Sequence, residues 1–196
     1  MTIKCWNCNT PLGATDLFCQ LCAKIQPPAQ TDHFTRLSMP HDFDLGIKKL
    51  EVAYFSMQTK LHPDRFTAKS EKEKLFSMQQ SMSVNEAYEA LKSPLSRAEY
   101  LLKLEGIIVN ADNSTVKPSQ ELLMESLEAR EALSNAKTPE DIRQITIENM
   151  EHRLEAIDSI KQNFIDRKFE DAAQNTIRLR YLEKLNEEIK REGTKG

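Results

Sequence analysis

Residues 53–66, Ala53-Tyr54-Phe55-Ser56-Met57-Gln58-Thr59-Lys60-Leu61-His62-Pro63-Asp64-Arg65-Phe66, decide the reading of this chain. Ile47, Leu50, Tyr54, Met57 and Leu61 recur at spacings of three and four, which is one face of an amphipathic helix. Pro63 disfavours helical geometry at His62, so this helix ends there and His62-Pro63-Asp64 falls in an exposed connection. Beyond it, Leu75, Met78, Met82, Tyr88 and Leu91 fit a second amphipathic helix. The spacing predicts two antiparallel helices whose turn presents a histidine, a rigid proline and a carboxylate.

Upstream, the first long helix is expected from about Asp44 to Lys60, with Asp44 as its N-cap. A helical hairpin with His-Pro-Asp in its turn resembles the J-domain, the module that stimulates ATP hydrolysis by DnaK-type chaperones. Upstream of the hairpin, Asp32-His33-Phe34-Thr35-Arg36-Leu37 resembles the short first helix of that module, which implies that Phe34 and Leu37 plug onto the hairpin. The resemblance implies that Asp64 pairs with an arginine near the chaperone's interdomain linker, through a strong and directional carboxylate–guanidinium bond. Pro63 then fixes the loop and His62 orients it. Lys48, Lys49, Lys60 and Arg65 form a basic surface for an acidic patch on the chaperone; taken singly, each also fits a solvated helix face. His33, His41 and His152 suit surface or packing roles, and no catalytic triad is present in the sequence.

The chain has 196 residues, enough for one sizeable domain or two small ones. Its 5 Gly and 8 Pro leave room for long helices, and the 29% of charged residues are mixed in sign. A net charge of −3 argues against nucleic acid or an anionic membrane as the main partner. No apolar run approaches the roughly 20 residues that span a bilayer. Met1-Thr2-Ile3-Lys4 shows neither an apolar signal core nor an Arg-rich leader, so the chain works where it is made or a targeting segment lies outside this sequence.

All four cysteines fall near the N-terminus, as Cys5-x-x-Cys8, ten residues, then Cys19-x-x-Cys22. Two such pairs supply four thiolates to one tetrahedral ion, so a structural Zn2+ site is expected. Pro11, Gly13 and Asp16 suit the turn between the pairs. The segment is too poor in apolar residues for a core of its own, which makes the metal its source of folding energy. A redox pair or an iron–sulfur ligand set remains open for the same residues. Trp6 is expected to pack on the knuckle or on the next module. Pro27-Pro28-Ala29-Gln30 reads as a linker, so residues 1–27 form a metal-binding module and 32–106 the J-domain-like one.

Ser93-Pro94-Leu95-Ser96-Arg97-Ala98-Glu99-Tyr100-Leu101-Leu102 starts a further helix, capped by Ser93, with Pro94 in its first turn and Gly106 to end it. Residues 107–118 read as a connection. Ser119 caps a helix to about Asn135; Thr138-Pro139, with Glu140 and Asp141 in the first turn, opens one reaching Asp166. A last helix covers about Phe169 to Glu192, carrying Ile177, Tyr181, Leu182, Leu185 and Ile189. Short links make these an antiparallel three-helix bundle over 119–192. The fold class is therefore mainly α: zinc knuckle, helical hairpin, bundle.

At about 100° per residue, Leu122, Ala129 and Leu133 make one face of the helix after Ser119. Leu123, Met124 and Leu127, edged by Glu128 and Glu131, make a second; such a face fits a binding site when exposed, and equally a helix buried on both sides. Asn85-Glu86-Ala87-Tyr88 and the run from Ser93 resemble HscB, the J-protein family dedicated to iron–sulfur cluster assembly, over about residues 32–192. Leu123-Met124-Glu125-Ser126-Leu127-Glu128-Ala129-Arg130-Glu131 resembles that family's docking segment for the scaffold IscU. By position Leu123, Met124, Leu127, Glu128 and Glu131 are the implied contacts, with Tyr181 the aromatic one; an acidic contact of some members falls on Asn135 here.

The resemblance implies a co-chaperone that brings an IscU-type scaffold to a DnaK/HscA-type ATP-dependent chaperone and stimulates its ATPase. It is not itself an enzyme. The tetracysteine extension is similar to that of eukaryotic members, which implies the mitochondrial matrix, or the cytoplasm if no leader has been removed. Two alternatives stay open: a redox or metal-handling protein with an ancillary J-domain, and a J-protein for another client. The sequence leaves a homodimer open.

Overall fold

A computed structural model describes residues 3–109 and 114–193. The first two residues of the Met1–Lys4 stretch and the centre of the 107–118 connection lie outside the described residues. The fold is mainly helical and divides into two compact units, residues 1–93 and 94–196.

In the first unit, strands β1 (Ile3–Lys4) and β2 (Pro11–Leu12) pair antiparallel, with Ile3 opposite Leu12. Helix α1 (His33–Arg36) is capped by Asp32, whose Oδ1 accepts from the Thr35 amide at 3.0 Å and lies 2.9 Å from His41 Nε2. Its Phe34 and the following Leu37 are fully buried, as the plug role requires. Helices α2 (Ile47–Leu61) and α3 (Glu71–Lys92) form the hairpin. Tyr54 stacks on Tyr88 at 4.2 Å, and the Tyr54 hydroxyl donates to Asn85 Oδ1 at 3.0 Å.

Two expectations for the hairpin are corrected. Helix α2 starts at Ile47 with Gly46 at its N-cap, not at Asp44. Asp42 Oδ1 accepts the Asp44 amide at 2.9 Å, a local turn that lets Phe43 and Leu45 on either side be buried before the helix begins. On α3, Leu75, Met78 and Met82 are exposed at 46%, 48% and 55% instead of packed. The buried face is made by Glu73, Ser77, Gln80, Ser81, Val84, Ala87 and Leu91. Small side chains suit a close approach of α3 to its neighbours, and the Ser77, Ser81 and Gln80 donors are taken up by backbone carbonyls of α2 and the cysteine module, whereas Gln80 Oε1 has no partner among the described residues. Gln80 Nε2, for example, donates to the Gln26 carbonyl at 3.0 Å.

The cysteine module is docked on α3. Trp6 meets Phe76 edge-on at 5.8 Å and donates through Nε1 to the Ile25 carbonyl at 2.7 Å, so it packs on both knuckle and helix. Lys24 Nζ lies 2.9 Å from the buried Glu73 carboxylate, which also closes the capping box with Ser70 at the start of α3. The Lys24 ammonium, with Ser70, holds the Glu73 carboxyl below its usual range against the opposing effect of burial. A depressed carboxyl contributes stability above its unfolded value and loses it as pH falls. Glu73→Gln is therefore expected to lower the thermal midpoint at neutral pH. The difference from wild type should close as pH falls below the ordinary glutamate value of about 4.3. Calorimetry of both proteins across that range checks this, and a pH-independent difference would refute it.

The second unit contains α4 (Pro94–Leu104), α5 (Gln120–Asn135), α6 (Pro139–Ile165) and α7 (Phe169–Gly193). The caps fall where the local sequence places them: Ser119 accepts from the Leu122 amide, Thr138 and Asp141 form a capping box, and Gly106 takes φ +81° after α4. Arg167, at φ 57°, makes the tight link between α6 and α7. The sequence groups 94–106 with the first module; in the structure α4 packs on α7 within the second unit. Leu102 joins Val109, Leu122, Ala172, Ala173 and Ile177 in one core cluster, and Arg180 holds Glu99 of α4 at 2.8 Å. Two residues earlier on α7, Arg178 clamps Glu125 of α5 through Nη2 and Nε at 2.6 and 3.0 Å. No helix among the described residues is long and apolar enough to cross a membrane.

Candidate functional site

At the end of α2, Pro63 leaves the Leu61 carbonyl without an intrahelical partner. Ser77 Oγ and Ser81 Oγ of α3 both donate to it, at 2.6 and 3.0 Å. Leu61 and Phe66 are buried on either side of the tripeptide, so each anchors the turn with about 1.5–3 kcal/mol of apolar burial. Residues Pro63–Phe66 form a single 3₁₀ turn. The Asp64 amide donates to His62 Nδ1 at 3.3 Å, and the same nitrogen lies 3.5 Å from Asp64 Oδ2. The Asp64 side chain is 86% exposed: a carboxylate held outward on a turn fixed from beneath. Lys48, Lys49, Lys60 and Arg65 are all exposed, with Arg65 donating to the Thr59 carbonyl at 3.2 Å. Val52 and Phe55 of α2 are also exposed, at 70% and 63%. Ser77 and Ser81 carry no signal in the hydrophobic pattern; only their i, i+4 spacing opposite a proline-terminated helix hints at them.

The four cysteine sulfurs lie within 4.8 Å of one another. Cys5 Sγ is 3.6 Å from Cys22 Sγ, and Cys8 Sγ is 3.6 Å from Cys19 Sγ. These are not disulfide distances, since bonded sulfurs sit about 2.05 Å apart. Zinc–sulfur bonds of about 2.3 Å at tetrahedral angles place sulfurs about 3.8 Å apart. The site is built by two like knuckles: Asn9 N bonds Cys5 O and Ala23 N bonds Cys19 O, with Asn9 and Ala23 both at φ near +60°. Burial pushes the Cys5 thiol up, but the Cys8 and Asn7 amides and the neighbouring thiols outweigh it and bring it down to about 6. The Lys24 amide favours the Cys22 thiolate, yet burial and the three other sulfurs push it up to about 11. Four clustered thiols thus cannot all ionise unaided, and a cation at their centre is what would hold the set as thiolates. The residues fit a metal ion with four sulfur ligands.

On α5, Leu122 and Leu133 are buried and Ala129 is half-buried, whereas Leu123, Met124 and Leu127 are exposed at 48%, 50% and 60%. Glu128 and Glu131 are exposed beside them, as is Asn135. Tyr181 is half-buried and packs against the core cluster containing Leu122. His33 and His152 are half-buried, and His41 is the partner of Asp32 already described.

A helical hairpin with an outward His-Pro-Asp turn, carried beside a cysteine knuckle and followed by a separate helical unit, has the architecture of a J-type co-chaperone. Residues 118–190 match the HSCB C-terminal oligomerisation domain. The chain is 38% identical over 186 residues to the iron–sulfur cluster co-chaperone protein HscB homolog of Arabidopsis thaliana, covering 94% of this chain and 72% of that one. It is 34% identical over 191 residues to the iron–sulfur cluster co-chaperone protein HscB of Mus musculus, covering 95% and 81%. The crystal structure of human co-chaperone protein HscB superposes with a TM-score of 0.91 at 32% identity, over 97% of this chain and 98% of that one. The chain belongs to the HscB family of iron–sulfur cluster co-chaperones.

Proposed function

We propose that this protein is a tethering adaptor. Its α5 face binds an IscU-type scaffold, and its His62-Pro63-Asp64 turn engages an ATP-bound DnaK/HscA-type chaperone and stimulates hydrolysis. The observation that carries this reading is the exposed trio Leu123, Met124 and Leu127, edged by Glu128 and Glu131, on a unit distinct from the one bearing Asp64. One chain thus offers two ends to two partners, and holding the scaffold beside the chaperone raises its effective concentration there. Tyr181 adds an aromatic contact from α7. Asp64 and the cations Lys48, Lys49, Lys60 and Arg65 make the chaperone face. Cys5, Cys8, Cys19 and Cys22 hold a structural Zn2+. The compartment is the mitochondrial matrix, and the protein acts on its partners without catalysing a reaction itself.

Single-turnover ATP hydrolysis by a DnaK-type chaperone, with and without scaffold, tests the reading. Stimulation by this protein should rise further when scaffold is added. Stimulation indifferent to scaffold would leave the client assignment wrong. Leu127→Ala and Tyr181→Ala should each weaken scaffold binding by about 1–3 kcal/mol, the range of interface hot spots. Titration calorimetry reads this directly, and unchanged affinity in both variants would remove the α5 face from the interface.

A further inference from the structure

Between α5, α6 and α7 lies a cavity of about 280 Å³. Leu122, Ala129, Ile145, Leu182 and Leu185 make much of its wall apolar, and Ser126 and His152 are among the polar residues that also line it. Asn149 of α6 also lines it; this residue is 4% exposed, and its Oδ1 has no hydrogen-bond partner among the described residues. An unsatisfied buried acceptor is costly, and asparagine is a poor helix former, so a leucine at 149 would serve the fold better on both counts.

The cavity carries two exposed carboxylates, beside the half-buried imidazole of His152. These are Glu128 and Glu148, whereas Glu125 is already neutralised by Arg178 at 2.6 Å. Glu128 is the edge that this cavity shares with the exposed Leu123-Met124-Leu127 face of α5, and Tyr181 lines the cavity as well. An occupant matching all three features has an aliphatic stem for the walls, an N–H donor for Asn149 Oδ1, and positive charge for the carboxylates.

We propose that this cavity is a specificity pocket that receives one lysine or arginine side chain of the client docked on α5. This rests on the reading of α5 as the scaffold-binding face. The apolar trio then supplies adhesion, while the pocket selects for a cation at one place on the client and rejects a partner that would leave Asn149 unpaired.

The experiment compares Asn149→Leu, Ala132→Met and Glu148→Gln with wild type and Leu127→Ala, measuring affinity for an IscU-type scaffold and the thermal midpoint. Asn149→Leu should raise the midpoint yet weaken binding about tenfold, which is the effect of losing about 1.4 kcal/mol. Ala132→Met plugs the cavity from an exposed position on its lining and should weaken binding likewise, so the test stands even if Asn149→Leu folds poorly. Glu148→Gln should weaken binding and flatten its dependence on salt. If Asn149→Leu and Ala132→Met leave affinity unchanged while Leu127→Ala lowers it, the cavity is only a packing void and the pocket is refuted. If Glu148→Gln changes nothing while Asn149→Leu weakens binding, the occupant is neutral and the cationic assignment is overturned. If Leu127→Ala also has no effect, the α5 docking face itself is what fails.

Discussion

Asp64→Asn is expected to abolish stimulation of the chaperone's ATPase while leaving scaffold affinity unchanged. The substitution keeps shape and removes charge. The side chain is 86% exposed and its Oδ2 lies 3.5 Å from His62 Nδ1, beyond a strong hydrogen bond, so the fold loses little. Exposed substitutions of this kind stay within about 0.5 kcal/mol of wild type. Against a chaperone arginine the same change is large, because truncating a desolvated, hydrogen-bonded charge pair costs about 2–5 kcal/mol. The turn that presents the carboxylate would persist, since Leu61, Phe66, Ser77 and Ser81 hold it from beneath. Single-turnover hydrolysis alongside scaffold titration separates the two ends of the adaptor. Retained stimulation in Asp64→Asn would remove Asp64 from the mechanism.

If the four cysteines hold the proposed Zn2+, stripping it should unfold the cysteine module and little else. Structural zinc contributes about 10–16 kcal/mol in small cysteine sites near neutral pH, far more than the few apolar contacts of residues 3–26 could replace. Trp6 is the chain's one tryptophan, which makes its fluorescence a clean reporter. Its indole is buttressed by Phe76, by the Ile25 carbonyl and by Lys72, whose Nζ sits 4.4 Å from the ring centroid. Chelation, or Cys5→Ser, should shift this emission to the red while far-ultraviolet dichroism keeps most of its helical signal. The first unit should also lose some thermal stability, because Lys24 and Gln26 no longer meet Glu73 and Gln80. Metal analysis should find one zinc per chain and no colour. A visible iron–sulfur spectrum would assign the cysteines to a cluster, and unchanged Trp6 emission after complete metal removal would end the structural role.

What could be read along the chain was what local backbone energetics and periodicity control. The proline stop at 63, the caps at Ser119 and Thr138 and the glycine after α4 each depend on a handful of neighbouring residues. So do the two faces of α5, since a wheel separates Leu122 and Leu133 from Leu123, Met124 and Leu127 before any partner is known. The paired Cys-x-x-Cys spacing belongs to the same class, because two tight turns suffice to converge four sulfurs.

Which side of α3 is buried was decided only by tertiary structure. Leu75, Met78 and Met82 have the hydropathy of a core face, yet the helix turns Ser77, Gln80 and Ser81 inward. Their donors can be buried there because the Leu61 and Gln26 carbonyls, brought close by the hairpin and the docked knuckle, accept their hydrogen bonds. Likewise Gly46 displaces Asp44 as the cap because Phe43 and Leu45 find buried sites first, and α4 joins α7 through Leu102 and the Arg180–Glu99 pair. The Asn149 cavity is of the same kind: it exists where three helices fail to fill the space between them. Periodicity along one chain determines which side chains share a face, but the cost of burying a polar atom is set by the partner it meets, and that partner comes from elsewhere in the fold.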